Sequence, residues 1–258
     1  MKRVGAVALN TFREAVRDRV LYNLVFFALL MMASAIFVGQ ISIGVEEMVI
    51  KSLGLTAISV IGLLIAVFIG VGLVYKEMDK RTLYALLAKP VRRWEFLLGK
   101  FAGLVLTLAV NTVAMAAGLF AALLYVKPHL ESSDAVLLVA IFFILLKLML
   151  VVALALLFSC YSTPLLAILY TTAFYVAGMF VEEMRTFRVE TMSPQMAGFL
   201  RGLSYLLPNF ENFNVMGAAA HGRAVPGTLI LQDTGYALLY STLVLLMAIA
   251  VFSRRNLK

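Results

Sequence analysis

Ala135-Val-Leu-Leu-Val-Ala-Ile-Phe-Phe-Ile-Leu-Leu-Lys-Leu-Met-Leu-Val-Val-Ala-Leu-Ala-Leu-Leu-Phe158 runs for twenty-four residues with a single charge, Lys147. Crossing about 30 Å of hydrocarbon takes about 20 apolar residues in a helix, which satisfies every backbone hydrogen bond within itself. A barrel strand would alternate polar and apolar side chains, and this stretch does not. Five more runs read the same way: Leu21 to about Val38, Leu53 to Tyr75, Gly99 to Val126, Leu165 to Val181 and Gly235 to Phe252. The whole chain agrees. Of 258 residues, 63% are apolar and 14% charged, against roughly 45–50% and 25% in soluble proteins, more apolar surface than a soluble core of this length can hide. The expected fold is an all-α integral membrane protein with six transmembrane helices. One cysteine, Cys160, excludes an internal disulfide framework and a thiolate cage for a metal within one chain.

The flanks of the spans fix their direction. One set of flanks (the N-terminus, the loop after the second span and the C-terminal tail) holds fifteen basic residues against five acidic ones; the opposite loops hold six against nine. Basic residues collect on the cytoplasmic side, so both termini are expected in the cytoplasm. The net charge of +8 is this asymmetry, and it gives a nucleic-acid partner no support. Residues 1–20 read as a cytoplasmic amphipathic helix at the membrane interface. Val4, Val7, Ala8, Phe12 and Ala15 fall on one side at helical spacing, and Arg3, Asn10, Arg13 and Arg17 on the other. A polar, frayed lead-in is the plainer alternative. A cleaved signal peptide is a third, since Ala33-Ser34-Ala35 follows a short apolar run, but Glu14, Asp18 and the continuing Ile36-Phe37-Val38 argue against it. Residues 21–258 form one six-helix domain in this reading.

Between the second and third spans lies the cytoplasmic segment 76–98. Thr82 to Ala88 reads as a short helix with Leu83, Leu86 and Leu87 on its apolar side. Pro90 stops it, because proline restricts the residue before it and lacks a backbone donor. A second amphipathic turn starts near Arg92, with Trp94 and Phe96 suited to the headgroup zone. A short stiff helix held between two spans transmits force to them from a protein docked beneath. An interfacial loop whose lysines satisfy topology fits the same residues.

The order Glu77, Arg81-Thr82-Leu83, Leu86-Leu87-Ala88-Lys89-Pro90-Val91, Arg93 and Gly99-Lys100 resembles the loop of type 2 ATP-binding-cassette (ABC-2 type) permeases. Arg81 stands where that family usually has glycine, and Ala88 where serine is common. The amphipathic lead-in, the Ser159 to Pro164 turn, Leu206-Leu-Pro-Asn-Phe210 and Phe252-Ser-Arg-Arg255 are similar to the branch labelled as multicopper-enzyme-maturation permeases. The resemblance implies the permease subunit of an ATP-driven exporter in a bacterial inner membrane, two copies facing each other. It also implies a separate ATPase subunit that docks on the Thr82–Ala88 helix, with Glu77, Thr82, Leu83, Leu86, Leu87, Pro90 and Arg93 as coupling residues and the Ser159 to Pro164 turn as a smaller contact. ATP and Mg²⁺ would belong to that partner. This chain is expected to carry no cofactor and no catalytic residue, since Gly99-Lys100 is followed by Phe101 and no glycine-rich phosphate loop precedes it. A non-transporting membrane anchor or regulator of an ATPase, assisting maturation of an extracytoplasmic enzyme, is the alternative. A secondary carrier would show an inverted repeat and several intramembrane charges; no such repeat is seen, and Lys147 stands alone.

Lys147 falls near mid-bilayer, where a charge costs at least ~2.5–3.5 kcal/mol on insertion scales. It is a candidate for the transport path or an interface; a structural lysine partnered by Asn111 or a tyrosine is the other reading. The outer segment 182–234 exceeds a plain turn. Met196, Phe199, Leu200, Leu203, Leu206 and Leu207 have helical spacing, expected as an interfacial helix broken by Pro208. Met184, Met192, Met196 and Met216 lie in this segment, and thioethers bind reduced copper, but methionines are commoner as gap-fillers. His129 and His221 have no neighbouring carboxylate at metal spacing, so no metal site is expected. Small residues at Gly99 and Gly103, and at Ala66 and Gly70, permit close helix packing.

Overall fold

The computed structural model describes residues 2–42, 44–79, 92–127, 129, 131–186 and 194–254, and among these every regular element is a helix. α1 (Lys2–Val16) precedes α2 (Arg19–Ile41), α3 (Glu46–Asp79), α4 (Arg93–Val126), α5 (Ala135–Ser159) and α6 (Pro164–Met179). The outer segment follows with α7 (Val181–Thr186), α8 (Pro194–Leu206), a 3₁₀ turn (Glu211–Phe213) and α9 (Met216–Ala220), and α10 (Gly227–Arg254) ends the chain. Five helices, α2 to α5 and α10, are long and apolar enough to cross a membrane; α6 is apolar but has sixteen residues, about 24 Å of helix.

The quoted run forms the central pillar. In α5 every residue from Leu150 to Leu156 is buried, so this half is covered on all faces, as expected of a helix apolar all round, while Leu138 and Phe142 nearer its start are exposed. It packs against α3, α4, α6 and α10. α2 shows the opposite pattern. Leu21, Ala28, Met32, Ala35 and Gly39 make one buried stripe, while Phe26 and Phe37 are exposed toward lipid.

Helix ends depart from the expected spans where polar residues interrupt apolar runs. α3 and α4 have thirty-four residues each and enter the segment 76–98 from both sides, to Asp79 and from Arg93. α10 starts at Gly227, eight residues before the expected Gly235. Gln232, Asp233 and Thr234 hide its continuity in a hydropathy reading, yet helix backbone continues through them, and the outer segment ends that much sooner.

α1 docks on protein. Its contacts with α4 are the most extensive between any two elements, with Thr11 and Ala15 fully buried. The approach is close because Gly99 and Gly103 lie beneath it: a Cβ at Gly103 would stand 2.5 Å from the Ala8 carbonyl oxygen, and one at Gly99 2.5 Å from Val7 Cβ. At the other end, a Cβ at Gly178 would collide with the Pro208 carbonyl oxygen. Expected outcome: Gly103→Leu lowers unfolding stability in detergent by roughly 1–3 kcal/mol through overpacking and opens Arg13 and Arg17 to trypsin. Gly72→Leu, where no atom lies within 4 Å of the new Cβ, does neither.

Candidate functional site

At the inner end the helices form a collar around the point where α4 begins. Phe96 stacks on Phe252 of α10, centroids 6.1 Å apart and planes 20° from parallel. Leu97, Cys160 and Ala248 complete this cluster, with Val7 of α1 against it. Arg93, in the first turn of α4, donates from one guanidinium nitrogen to the carbonyl oxygens of Phe252 at 3.1 Å and Ser253 at 2.7 Å. A cation there satisfies carbonyls that a helix C-terminus leaves open. The Arg92 amide donates to Glu95 Oε2 at 2.8 Å, which starts the helix. Lys100, 1% exposed, lies under α1 with Nζ 3.7 Å from Glu14 Oε2 and 5.9 Å from the Phe96 ring centroid. α1, α4 and α10 are therefore joined by charge as well as by packing.

Of the expected coupling residues, Arg93 is a collar residue and Glu77 belongs to the last turns of α3. Thr82, Leu83, Leu86, Leu87 and Pro90 lie outside the described residues. The Ser159 to Pro164 turn sits beside the collar. Ser162 Oγ donates to the Phe158 carbonyl at 2.6 Å, and Pro164 opens α6, where its missing N–H has no helical partner to lose.

Lys147 is 4% exposed. Its Nζ donates to Ser59 Oγ of α3 at 2.6 Å and lies 5.9 Å from the centroid of Tyr175 on α6. A tyrosine is thus beside it as one reading of the sequence held, while Asn111 is not its partner. Asn111 Nδ2 instead donates to the Thr107 carbonyl one turn back along α4, at 2.9 Å. Above Lys147 the outer segment is latched into the bundle. The Phe210 amide donates to the Gly178 carbonyl at 3.0 Å, the Asn209 amide to Tyr236 Oη at 2.9 Å, and Tyr240 Oη to the Leu206 carbonyl at 2.7 Å.

Sequence reasoning missed the ionic cluster on the outer face. Lys51 Nζ is 2.6 Å from Asp134 Oδ1, and both side chains are buried; Lys127 Nζ is 2.7 Å from Glu131 and 3.3 Å from Glu47. These residues tie the start of α3 to the α4–α5 loop. Glu47, Lys51 and Lys127 border a hollow of about 710 Å³ lined also by Glu46, Ser133 and His221. The Glu47 and Lys51 spacing of four residues was the available signal; the α4–α5 partners had none, being some eighty residues away. The Asp134 carboxyl is held below its ordinary value: burial opposes this, but hydrogen bonds from Lys51 and the Glu131 amide and the charges of Lys51 and Lys127 outweigh it. The hydrogen bond with Lys127 likewise holds Glu131 down. The bond with Glu131 holds Lys127 up, against its own desolvation.

The sequence pattern of the ABC-2 family transporter proteins matches residues 5–257. The chain belongs to this family. It is the permease subunit of an ABC transporter, a multi-pass membrane component that is not itself catalytic, and membership implies partnership with an ABC ATPase subunit. No curated protein matches the chain. Among the described residues of the permease, no group of three or more His, Cys, Asp or Glu is placed to hold a metal ion.

The outer cluster gives the permease a testable pH signature. Groups with depressed acidic values stabilise the fold above their ordinary value and lose that contribution as pH falls through the native one; Lys127, held up, loses its contribution as pH rises through its own. The cluster therefore leaves stability flat between roughly pH 5 and pH 10, with losses below and above. Asp134→Asn removes the nearer acid of the buried Lys51 and leaves it Glu47 at 3.6 Å, so it is expected to cost somewhat less than the ~3 kcal/mol of a fully stranded charge in thermal unfolding. Lys51→Met with Asp134→Leu is expected to recover most of that and to remove the Asp134 share of the acid limb.

Proposed function

We infer that this permease exports its substrate, and that it does so by taking mechanical work from a separate ATPase subunit docked on the cytoplasmic segment around Thr82–Ala88. Two copies face each other in a bacterial inner membrane, and ATP with Mg²⁺ stays in the partner. The single observation that carries the reading is the collar. A push delivered between Asp79 and Arg93 enters α4 at a first turn that Arg93, Phe96 and Lys100 bind to α10 and α1. A loop rooted in a locked turn moves helices, whereas one rooted in a frayed end would dissipate the displacement. ATP-driven closure then shifts the balance between two packings of the bundle, provided the ATPase binds one more tightly than the other.

Glu77, Leu83, Leu86 and Leu87 contact the ATPase in this proposal, with Thr82 and Pro90 fixing the ends of the docking helix and Arg93 passing the displacement onward. A photo-crosslinker placed at Leu86 is expected to capture the co-expressed ATPase in intact membranes. Leu86→Asp is expected to lower ATPase recovery about tenfold, since burying an unpaired carboxylate costs more than 1.4 kcal/mol. Absence of the crosslink despite co-expression would falsify the docking assignment.

A further inference from the structure

α1 has a second face. Val7, Ala8 and Thr11 meet α4 at Gly99 and Gly103, while Leu9, Arg13 and Arg17, on the side turned away, are exposed. Arg19, which opens α2, is exposed as well. Among the described residues none of these three guanidinium groups has an ion pair. Glu14 is matched by Lys100, its Oε2 3.7 Å from Nζ, so residues 13–19 present three positive charges against Asp18 alone. Asp18 itself accepts a hydrogen bond from the Val20 amide at 3.0 Å. Arg13 and Arg17 are one turn apart, and like charges at that spacing disfavour the helix unless an anion lies between them.

Chain connectivity puts this patch at the edge of the hydrocarbon. α2 is long and apolar enough to cross a membrane from Arg19 onward, and its first residues face lipid: Val20 is 49% exposed, Tyr22 57% and Phe26 68%. Arg17 and Arg19 therefore stand within a turn of the first lipid-facing side chains, at the level of head groups. Along α1, Leu9, Phe12 and Val16 run beside the arginines as an apolar strip that α4 does not fully cover, the division of a helix lying at a membrane surface. These lipid-facing neighbours favour a lipid over a protein as the occupant. All three cations are arginines, whose planar fork of donors fits two oxygens of one phosphate where a lysine offers a point charge.

We propose that the outward face of α1, with the start of α2, binds anionic phospholipids of the leaflet around the collar, their phosphodiester groups on Arg13, Arg17 and Arg19 and their acyl chains beside Val20 and Tyr22. The guanidinium groups donate to the phosphate oxygens, and the bound charge relieves the repulsion between Arg13 and Arg17. A zwitterionic lipid carries the same phosphate together with an ammonium that offsets its attraction to the patch, so the site selects lipids of net negative charge. α1 is then held from two sides, by α4 through Thr11 and Ala15 and by lipid through its arginines. Head-group charge thereby stabilises the collar that Lys100 and Glu14 join from within.

The test titrates the full chain in a neutral detergent with dioleoylphosphatidylglycerol or dioleoylphosphatidylcholine, reading retained lipid by native mass spectrometry and the unfolding temperature of the same samples. Phosphatidylglycerol is expected to bind more tightly and to raise the unfolding temperature, since a ligand of the native state stabilises it. Arg13→Gln with Arg17→Gln is expected to weaken its binding about tenfold and to abolish the rise. Both side chains are exposed, so the double variant keeps its fold without lipid. Arg223→Gln removes an exposed arginine at the outer end and is expected to change neither reading. Equal retention of the two lipids by the wild type, unchanged binding by the double variant, or an equal loss in Arg223→Gln each overturns the proposal. Competition by inorganic phosphate at the same concentration does so too, because the patch would then read a free anion. Capture of the ATPase by a crosslinker at Leu86 is scored in membranes holding each variant. A double variant that loses this capture while its lipid binding is unchanged would assign the patch to the ATPase and overturn the lipid reading, whereas loss of lipid binding with capture intact supports it and leaves the coupling assignment standing.

Discussion

Hydrocarbon does not drive helices together as water does, so a bundle in lipid is held by fit, by the hydrogen bonds it can make internally, and by the few charges it can match. The permease meets that constraint around one helix. From Leu150 to Leu156 α5 is covered on every side, and the helices about it touch through small residues, as where Gly70 lies against Ala155 at 3.4 Å for a Cβ placed there. Everything that does not fit the pillar faces lipid, which is why α2 has one buried stripe and an exposed remainder.

The two ends of the bundle solve different problems with the same chemistry. At the inner end, Gly99 and Gly103 let α1 approach until backbone and side chain touch, and Lys100, Glu14 and Arg93 add charge where partial burial strengthens it. The product is a collar that joins α1, α4 and α10. At the outer end, Lys51 with Asp134 and Lys127 with Glu47 and Glu131 clasp the loops around α3 and α5, while Leu206 to Phe213 settles on the short α6. A sixteen-residue α6 leaves a gap that the outer segment fills, so helix length at one position sets where irregular backbone enters the membrane.

Lys147 connects these ends in depth. It sits in α5 and touches α3 through Ser59 and α6 through Tyr175. A charge buried at this depth is costly, and the Ser59 hydroxyl and the Tyr175 ring offset part of that cost.

Much of this was legible in the linear chain because lipid imposes length and composition rules that act residue by residue. Long apolar runs marked the spans, and the Gly99 and Gly103 spacing marked a close approach. The ends of α10 and α6 were less legible, because Gln232 to Thr234 and the break after Met179 obey local helix chemistry that averaged hydropathy does not register. Partners were not legible at all. Ser59 and Lys147 are eighty-eight residues apart, and Arg93 and Ser253 one hundred and sixty; a periodic pattern says which face is apolar but not which helix will cover it. The sequence by itself determined that the chain crosses a membrane as helices and where its charges must lie, since transfer into hydrocarbon depends on each residue's own chemistry. Only the tertiary structure decided that α1 grips α4 and that Tyr175 and not Asn111 partners Lys147, since those follow from shape matched across distant segments.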